Sequence, residues 1–381
     1  MKITGVEPKF VDRYLLVEVT TDEGITGLGE SGAWGFLDAS AAAMEKFAEY
    51  LVGQDPLLIE HHWQYMYRAN HFRGAAIMGA LSALDIALWD IAGKHYGAPV
   101  HALLGGPVRS KARVYGHVFG ASRDELVAGI VEAKDKGFTA VGHLTPFTDA
   151  PRSEPYFETQ AQKIRNAVDT VEAYRNAVGN EVDLCIEIHR RMTPTEAVQL
   201  GRAIEHLTPM FFEDPVLPDN LDEMEYVASK ISIPIATGER FTSPWEFEML
   251  LSRNAVQYVR PDVCMVGGIT AAKKVAALAE ARHVGVIPHN PLSPVSTAAC
   301  LQIAAAVPNF AIQELPLGED RYPKQAAFSM SYAFDGAGFL DIPTTAGIGV
   351  ELKPDAVENV PRRPWGDIVA RRHVDGSVID Q

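Results

Sequence analysis

Three short apolar runs between residues 183 and 240 each stop at a glutamate: Asp-Leu-Cys-Ile-Glu-Ile-His (183–189), Phe-Phe-Glu-Asp-Pro (211–215) and Ile-Pro-Ile-Ala-Thr-Gly-Glu-Arg (233–240). Their acids, Glu187, Glu213 and Glu239, follow one another at intervals of 26 residues, about the length of one strand, one helix and two loops. That repeat is a βα unit. In a barrel of such units the C-terminal strand ends converge on one mouth, so three successive acids can point at one spot. Gathered there they repel one another unless a hard divalent cation such as Mg²⁺ lies between them. A single glutamate after a strand is equally well explained as a cap on the next helix. Three at equal spacing favour metal binding.

The same rhythm extends on both sides. From Arg113 onward, short apolar runs alternate with amphipathic helices, and eight runs can be counted, at 113–118, 139–144, 183–189, 210–213, 233–239, 258–262, 284–289 and 310–315. Helical spacing separates them, for example over 123–136, 158–178, 194–206 and 269–283. Eight strands alternating with helices make a TIM-type barrel the expected fold. A doubly wound sheet is the runner-up, but the glycine phosphate loop normally found after its first strand is missing.

Before the barrel the pattern is different. Strand-like runs at 2–11, 14–20 and 25–30, with Asp22-Glu23-Gly24 as a turn, are followed by helical spacing over 38–52, 59–67 and 74–96. Residues 1–112 therefore read as an α+β unit, 113–319 as the barrel, and 320–381 as a proline-rich tail that packs back on the first unit. A chain of 381 residues suits a barrel of roughly 250 plus a smaller domain.

Net charge and composition narrow the partners. At −15 and a pI near 5.3 the chain is poorly suited to nucleic acid or to an anionic membrane. An anionic substrate then needs local positive charge, which a bound cation provides. Cys185, Cys264 and Cys300 lie in apolar segments without C-x-x-C spacing and read as reduced packing residues of a cytoplasmic protein. Met1-Lys2-Ile3-Thr4 runs straight into strand pattern, with no leader-like segment. The most apolar tract, 74–92, carries Asp85 and Asp90 and reads as a buried helix, not a membrane span.

The remaining strand ends carry further chemistry. His189 lies two residues beyond Glu187, on the same side if the strand continues. Run six ends Arg260-Pro261-Asp262 and run seven ends Pro288-His289-Asn290. Neighbouring strand ends allow Asp262 to reach His289, fixing its tautomer and raising its basicity, as a general base requires. Run eight adds Glu314. His117 and His143 also fall near strand ends and rank as weaker substrate-contact candidates. The other histidines, such as His61, His62, His95, His101, His206, His283 and His373, read as surface or core-edge groups.

With these residues in place the chain resembles the enolase superfamily over nearly its whole length, and within it the mandelate racemase subgroup. Thr237-Gly238-Glu239-Arg240, Arg260-Pro261-Asp262 through Gly267-Gly268-Ile269, His289-Asn290-Pro291 and Ile312-Gln313-Glu314 are similar to galactonate and gluconate dehydratases. His189-Arg190-Arg191-Met192-Thr193-Pro194, Phe212-Glu213-Asp214-Pro215, Val307-Pro308-Asn309-Phe310 and the tail motif 370–376 look closer to mannonate dehydratases. The resemblance implies a modified (β/α)7β barrel with an N-terminal α+β capping domain completed by the C-terminal tail. It implies Mg²⁺ on Glu187, Glu213 and Glu239, His289 with Asp262 as the base at C2, His189 as the acid that protonates the departing 3-hydroxyl, and Glu314 hydrogen-bonding the enediolate or a sugar hydroxyl. The product is then a 2-keto-3-deoxy acid. The partner is a small sugar acid, and relatives commonly assemble as dimers or octamers.

Three departures from the subgroup stand out. Glu187 replaces the commoner Asp, strand two ends Gly142-His143-Leu144 without a Lys-x-Lys pair, and Arg190-Arg191 follows His189. These arginines either meet a second substrate carboxylate or form salt bridges on the next helix, and the second reading is preferred. Substrate contacts are expected from Arg73 and Trp34 of the capping domain and from His143 and Arg260 of the barrel. An epimerase or lactone cycloisomerase using the same enediolate is the alternative activity, and a non-catalytic sugar-acid binding protein is the remote one.

Overall fold

In the structure, a computed structural model, residues 1–69, 71–148, 154–318, 323–363 and 371–379 are described. Residue 370, which belongs to the tail motif above, lies outside that set. The N-terminal strands β1 (Ile3–Val11), β2 (Tyr14–Thr21) and β3 (Thr26–Ser31) form an antiparallel meander in the order β1-β2-β3. Helices α1 (Leu37–Leu51) and α3 (Ala75–Tyr96) cover it, α2 (Ile59–Arg68) packs against α3, and the short α4 (Val100–Leu103) follows. Helix α3 is long and apolar enough to cross a membrane, yet 78% of its apolar window is buried within the protein. It lies directly on β3. A Cβ on Gly29 would stand 1.9 Å from the Ala83 carbonyl oxygen, so the strand must offer glycine where the helix backbone crosses it.

The barrel follows in strict alternation: β4 (Lys111–His117), α5 (Arg123–Asp135), β5 (Ala140–Leu144), α6 (Gln160–Val178), β6 (Asp183–Glu187), α7 (Pro194–Ile204), β7 (Phe211–Glu213) and α8 (Leu221–Ala228). It continues with β8 (Ile235–Thr237), α9 (Pro244–Leu251), β9 (Tyr258–Val259), α10 (Gly268–Glu280), β10 (Gly285–Val286), α11 (Pro294–Ala306) and β11 (Gln313–Leu315). All pairings between neighbours from β10 round to β4, and from β4 to β11, are parallel. A parallel bridge between Val286 and Phe310 closes the ring. The eight strands appear where the alternating runs place them, though several are shorter. Pro261 and Pro288 lack the N–H that a ladder needs, so β9 and β10 end before the residues that carry chemistry.

Local chemistry explains the helix starts. Thr159 with Gln162 and Thr193 with Glu196 form reciprocal capping boxes, and Ser122, Asn220 and Ser293 cap with their side chains. Inside the ring, Tyr115, Ala140, Cys185, Phe211, Ala236, Ile287 and Ile312 pack together, so the barrel is filled and closed to passage. All three cysteines are buried and unpaired.

The tail adds β12 (Phe328–Met330), β13 (Phe339–Asp341), β14 (Val350–Leu352) and α12 (Ala356–Asn359). It returns to the first unit, where Arg362 makes a two-pronged contact with Asp38 and Arg363 bonds Asp12. It also grips the barrel, because β13 pairs antiparallel with β4. Packing on the first unit alone is therefore too narrow a description of it.

Candidate active site

Glu187 and Glu213 close β6 and β7 and face each other in register, and Glu239 follows β8 by two residues, beyond the left-handed Gly238 (φ 129°). One oxygen from each of the three lies within 4.8 Å of the others. Burial and the charges of Glu239 and Asp214 push the Glu187 carboxyl up to about 7, and burial drives Glu213 well above its usual range. Burial also raises Glu239, but His289, Arg190, His189 and Arg260 outweigh it and hold that acid down at about 2. Three hard oxygen donors that cannot all ionise without compensation fit a hard divalent cation.

The strand does not continue to His189. His189 (φ 54°) and Arg190 (φ 63°) are both in the left-handed region, and the His189 amide turns back to donate to Glu187 Oε1 at 2.8 Å. A tight turn therefore brings His189 to the mouth, where strand alternation had been expected to do so. Its ring meets His143 edge-on at 4.9 Å, and His143 stacks on His117 at 5.3 Å. Opposite, Asp262 and His289 form a parallel bridge, and Asp262 Oδ2 accepts from His289 Nδ1 at 2.8 Å. Burial lowers the His289 imidazole, but Glu239, Glu314 and Asp262 raise it on balance to about 9. A cation at the triad compensates Glu239 and so removes the largest of those raising influences.

Beneath the mouth lies a polar floor. Arg260, 1% exposed, pairs through Nε with Glu213 at 2.5 Å, donates to Tyr115 Oη at 2.6 Å, and bonds Glu314. Glu314 also accepts from His117 Nε2 at 2.6 Å and from the Asn290 amide at 2.8 Å. Burial raises Glu314, but Arg260, His289 and His117 prevail and hold it well below the ordinary carboxylate range.

These groups line a cleft of about 630 Å³. Barrel residues His143, Glu187, His189, Arg190, Glu239, Arg240, Arg260, Asp262, His289 and Glu314 form its charged side. The N-terminal unit supplies Gly32, Ala33, Trp34, Phe36 and Ala75, with Met265 and Pro291 completing an apolar wall. Trp34 stands 6.2 Å from the His289 ring, as an apolar wall requires. Two of the residues expected to contact substrate are engaged by other groups of the chain. Arg73 does not line the cleft, because its guanidinium lies over the Tyr67 ring at 4.2 Å. Arg260 reaches the cleft floor, but its guanidinium is held by Glu213, Tyr115 and Glu314, so it braces acids instead of standing open to a ligand.

Arg190 forms salt bridges as preferred, though not on the following helix. It bonds Asp214 Oδ2 at 2.7 Å and Glu239 Oε1 at 2.6 Å, beside the triad itself. Asp214 was not singled out from the sequence, although Glu213-Asp214-Pro215 sets a second acid next to a ligand position and was the available signal. Phe36, Ala75 and Met265 carried no such signal, because chain folding alone brings them to the mouth.

An eight-stranded barrel with a carboxylate triad and a His–Asp pair at one mouth has the layout of a metal-assisted enzyme. Comparison with known proteins agrees. Residues 4–105 match the mandelate racemase / muconate lactonizing enzyme N-terminal domain, and residues 125–356 match the enolase C-terminal domain-like family. The chain belongs to the mandelate racemase / muconate lactonizing enzyme family of the enolase superfamily. It is 37% identical to a D-galactonate dehydratase of Variovorax paradoxus, with both chains covered completely. The structure of an enolase from Agrobacterium radiobacter with Na and L-malate bound superposes with a TM-score of 0.90, at 30% identity and full coverage of both chains. A 3,6-anhydro-D-galactonate cycloisomerase from Zobellia galactanivorans gives 0.84 at 27% identity, over 94% of this chain and 99% of its own.

Proposed function

We propose that this protein is a sugar-acid dehydratase of the aldonate class, with galactonate, gluconate and mannonate as the first candidates, and that Glu187, Glu213 and Glu239 hold Mg²⁺. When bound, the ion supplies positive charge that makes the proton next to the substrate carboxylate removable. His289, its Nδ1 proton engaged by Asp262, takes that proton through Nε2. His189, on the turn that begins at Glu187, gives a proton to the 3-hydroxyl as it leaves as water. The enol that remains tautomerises to a 2-keto-3-deoxy acid. Trp34 and Phe36 exclude water from the base, and His143 contacts the substrate beside His189. Arg260 and Arg190 hold metal-site acids in position.

The observation that carries this reading is the pair of histidines lining one cleft around one carboxylate triad. A carbon base and a separate oxygen acid suit β-elimination. Full-length likeness to D-galactonate dehydratases supports the same reaction class. The unpaired cysteines support a cytoplasmic setting.

The test is formation of 2-keto-3-deoxy acid from a panel of C5 and C6 aldonates and aldarates, with and without Mg²⁺. Metal-dependent keto acid from an aldonate is the expected result. Deuterium exchange at C2 without water loss would shift the assignment to an epimerase or cycloisomerase, and silence in both assays would sink the enzymatic reading.

A further inference from the structure

Hydrogen bonds from the N-terminal unit reach the barrel at the C-terminal end of α11, where the His101 amide donates to Gln302 and Arg109 to the Val307 carbonyl, and at two short segments that directly follow the strands leading to the base pair. After β9 comes Asp262, then the turn into α10. There the Gly267 amide donates to Ser82 Oγ at 2.9 Å, Trp63 Nε1 donates to the Gly267 carbonyl at 2.8 Å, and the Thr270 amide donates to Asp85 Oδ2 at 3.0 Å. Gly268 is left-handed (φ 72°), and a Cβ there would meet Asp85 Oδ2 at 2.3 Å, so the helix start is pressed onto the acid. After β10 comes His289, then the turn into α11. There the Ser293 amide and hydroxyl donate to Glu30 at 3.2 and 2.5 Å, and the Ser296 amide at 3.1 Å.

Both acids are wholly buried, Glu30 at 0% and Asp85 at 1% exposure. Acids at helix N-termini meet the unpaired amides and the positive end of the dipole, so each fixes the position of the helix start it touches. The residue after β3 adds a contact that leads to Asp262, since the Gly32 amide donates to the Cys264 carbonyl at 3.0 Å and the Cys264 amide to Asp262 Oδ1 at 2.8 Å. The turn carrying His289 is thus held from two sides, at Asn290 by Glu314 and at Ser293 by Glu30. The triad is built differently, on β6, β7 and the turn after β8, with Arg190 and Arg260 of the barrel as its braces.

We propose that Glu30 and Asp85 are positioning residues for the Asp262–His289 pair, through which the N-terminal unit sets the geometry of the base, while the cation site is braced from the barrel by Arg190 and Arg260. The proposal rests on the reading of His289 as the base. It makes the small unit part of the proton-transfer apparatus, beyond its place as a wall of the cleft. A displacement near 1 Å at a reacting group can cost on the order of 100-fold in rate, so a loosened helix start is sufficient to be measured.

The test compares the intact protein with Glu30→Gln, Glu30→Ala, Asp85→Asn and the milder Ser293→Ala, which removes only one donor to Glu30. Three quantities are read: Mg²⁺ affinity by calorimetry, the His289 Nδ1 proton in histidine-labelled NMR spectra assigned with His289→Asn, and kcat and KM on D-galactonate. Expected are an Mg²⁺ affinity within about twofold of the parent, a shifted or broadened His289 resonance, and a kcat reduced roughly tenfold or more with KM little changed. The loss should be graded, larger in Glu30→Ala than in Glu30→Gln, which keeps one acceptor. An unchanged His289 resonance in folded variants, or Mg²⁺ affinity falling in step with kcat, overturns the proposal. A changed resonance in a protein that turns over no acid would keep the inter-unit grip and remove the base assignment instead.

Discussion

Nε2 of His289 lies 3.3 Å from Oε2 of Glu239. In the proposed mechanism the nitrogen that accepts the proton is therefore adjacent to an acid of the triad. A substrate whose carboxylate sits against the triad brings its neighbouring carbon to that nitrogen. His189 reaches the same cleft from the turn after β6, with the triad between the two imidazoles in strand order. The proposed mechanism assigns removal of the carbon proton to one imidazole and delivery of the oxygen proton to the other.

Substitution should separate the two steps. In His289→Asn both C2 deuterium exchange and dehydration are expected to fall by about 10²–10⁴, the usual contribution of a positioned general base. In His189→Asn exchange should persist while keto-acid formation drops by a similar factor, because only the departing hydroxyl loses its proton source. Exchange followed by NMR and product by a keto-acid assay give the comparison. Equal loss of both reactions in His189→Asn would remove it from the acid role.

Removal of divalent metal should destabilise the folded protein as well as silence it. Without a cation, Glu187, Glu213 and Glu239 have acceptor oxygens within 4.8 Å of one another and their charges are compensated mainly by Arg190 and Arg260. A ligand bound only by the native state raises stability by RT ln(1 + [L]/Kd), about 2.7 kcal/mol at 100 Kd. Chelation is expected to lower Tm by several degrees, with recovery on adding Mg²⁺. An unchanged Tm across a Mg²⁺ titration spanning 0.01 to 10 mM on this logarithmic scale would argue against a filled triad.

Arg260→Met should be among the most harmful single changes. The guanidinium sits at 1% exposure between Glu213 and Glu314, and its loss leaves two buried acids without their shared counter-charge. Breaking a buried pair by deleting one partner costs about 3–5 kcal/mol. Denaturant melts should show a loss of that order. The double variant Arg260→Met/Glu314→Gln should regain part of it, and failure to regain any would show that the pair with Glu314 is not what the arginine supports.

Much of this architecture could be read from the chain. The eight alternating runs and the equal spacing of Glu187, Glu213 and Glu239 gave the barrel and the triad, because strand ends in such a ring must converge. His289 with Asp262 followed from adjacency of neighbouring strands. The path of the chain just past a strand was not legible: His189 and Arg190 adopt left-handed backbone angles, for which histidine carries only a weak preference and arginine none. Nor was the position of Arg73 legible, because the guanidinium of this loop arginine lies over the Tyr67 face. Glu30 went unnoticed for a related reason. It follows alternating strand pattern in a hairpin, and only the docking of two units reveals that its carboxylate ends on the start of α11.

Glu30 and Asp85 also give the fold a specific pH dependence. Burial pushes Glu30 up to about 8, against the pull of Ser293 and Ser296, with the charge of Asp262 adding to the rise. Burial pushes Asp85 up to about 7, opposed by Thr270 and Lys274 and assisted by Glu60. Unfolded, both groups titrate near their ordinary values of 4.5 and 3.8. Between those values and 7 to 8 the folded protein holds protons that the unfolded chain has released, so their contribution is fully present at low pH and is lost as pH rises through the folded values. The slope is at most about 1.4 kcal/mol per pH unit for each group. Other groups titrate in the same window, and the difference between parent and Glu30→Gln isolates one of them. Urea melts at pH 5, 6.5 and 8 in saturating Mg²⁺ should show the parent losing more stability towards pH 8 than the variant, whose amide does not ionise. Parallel curves would mean that Glu30 stays charged at the α11 start throughout, with the helix amides offsetting its burial.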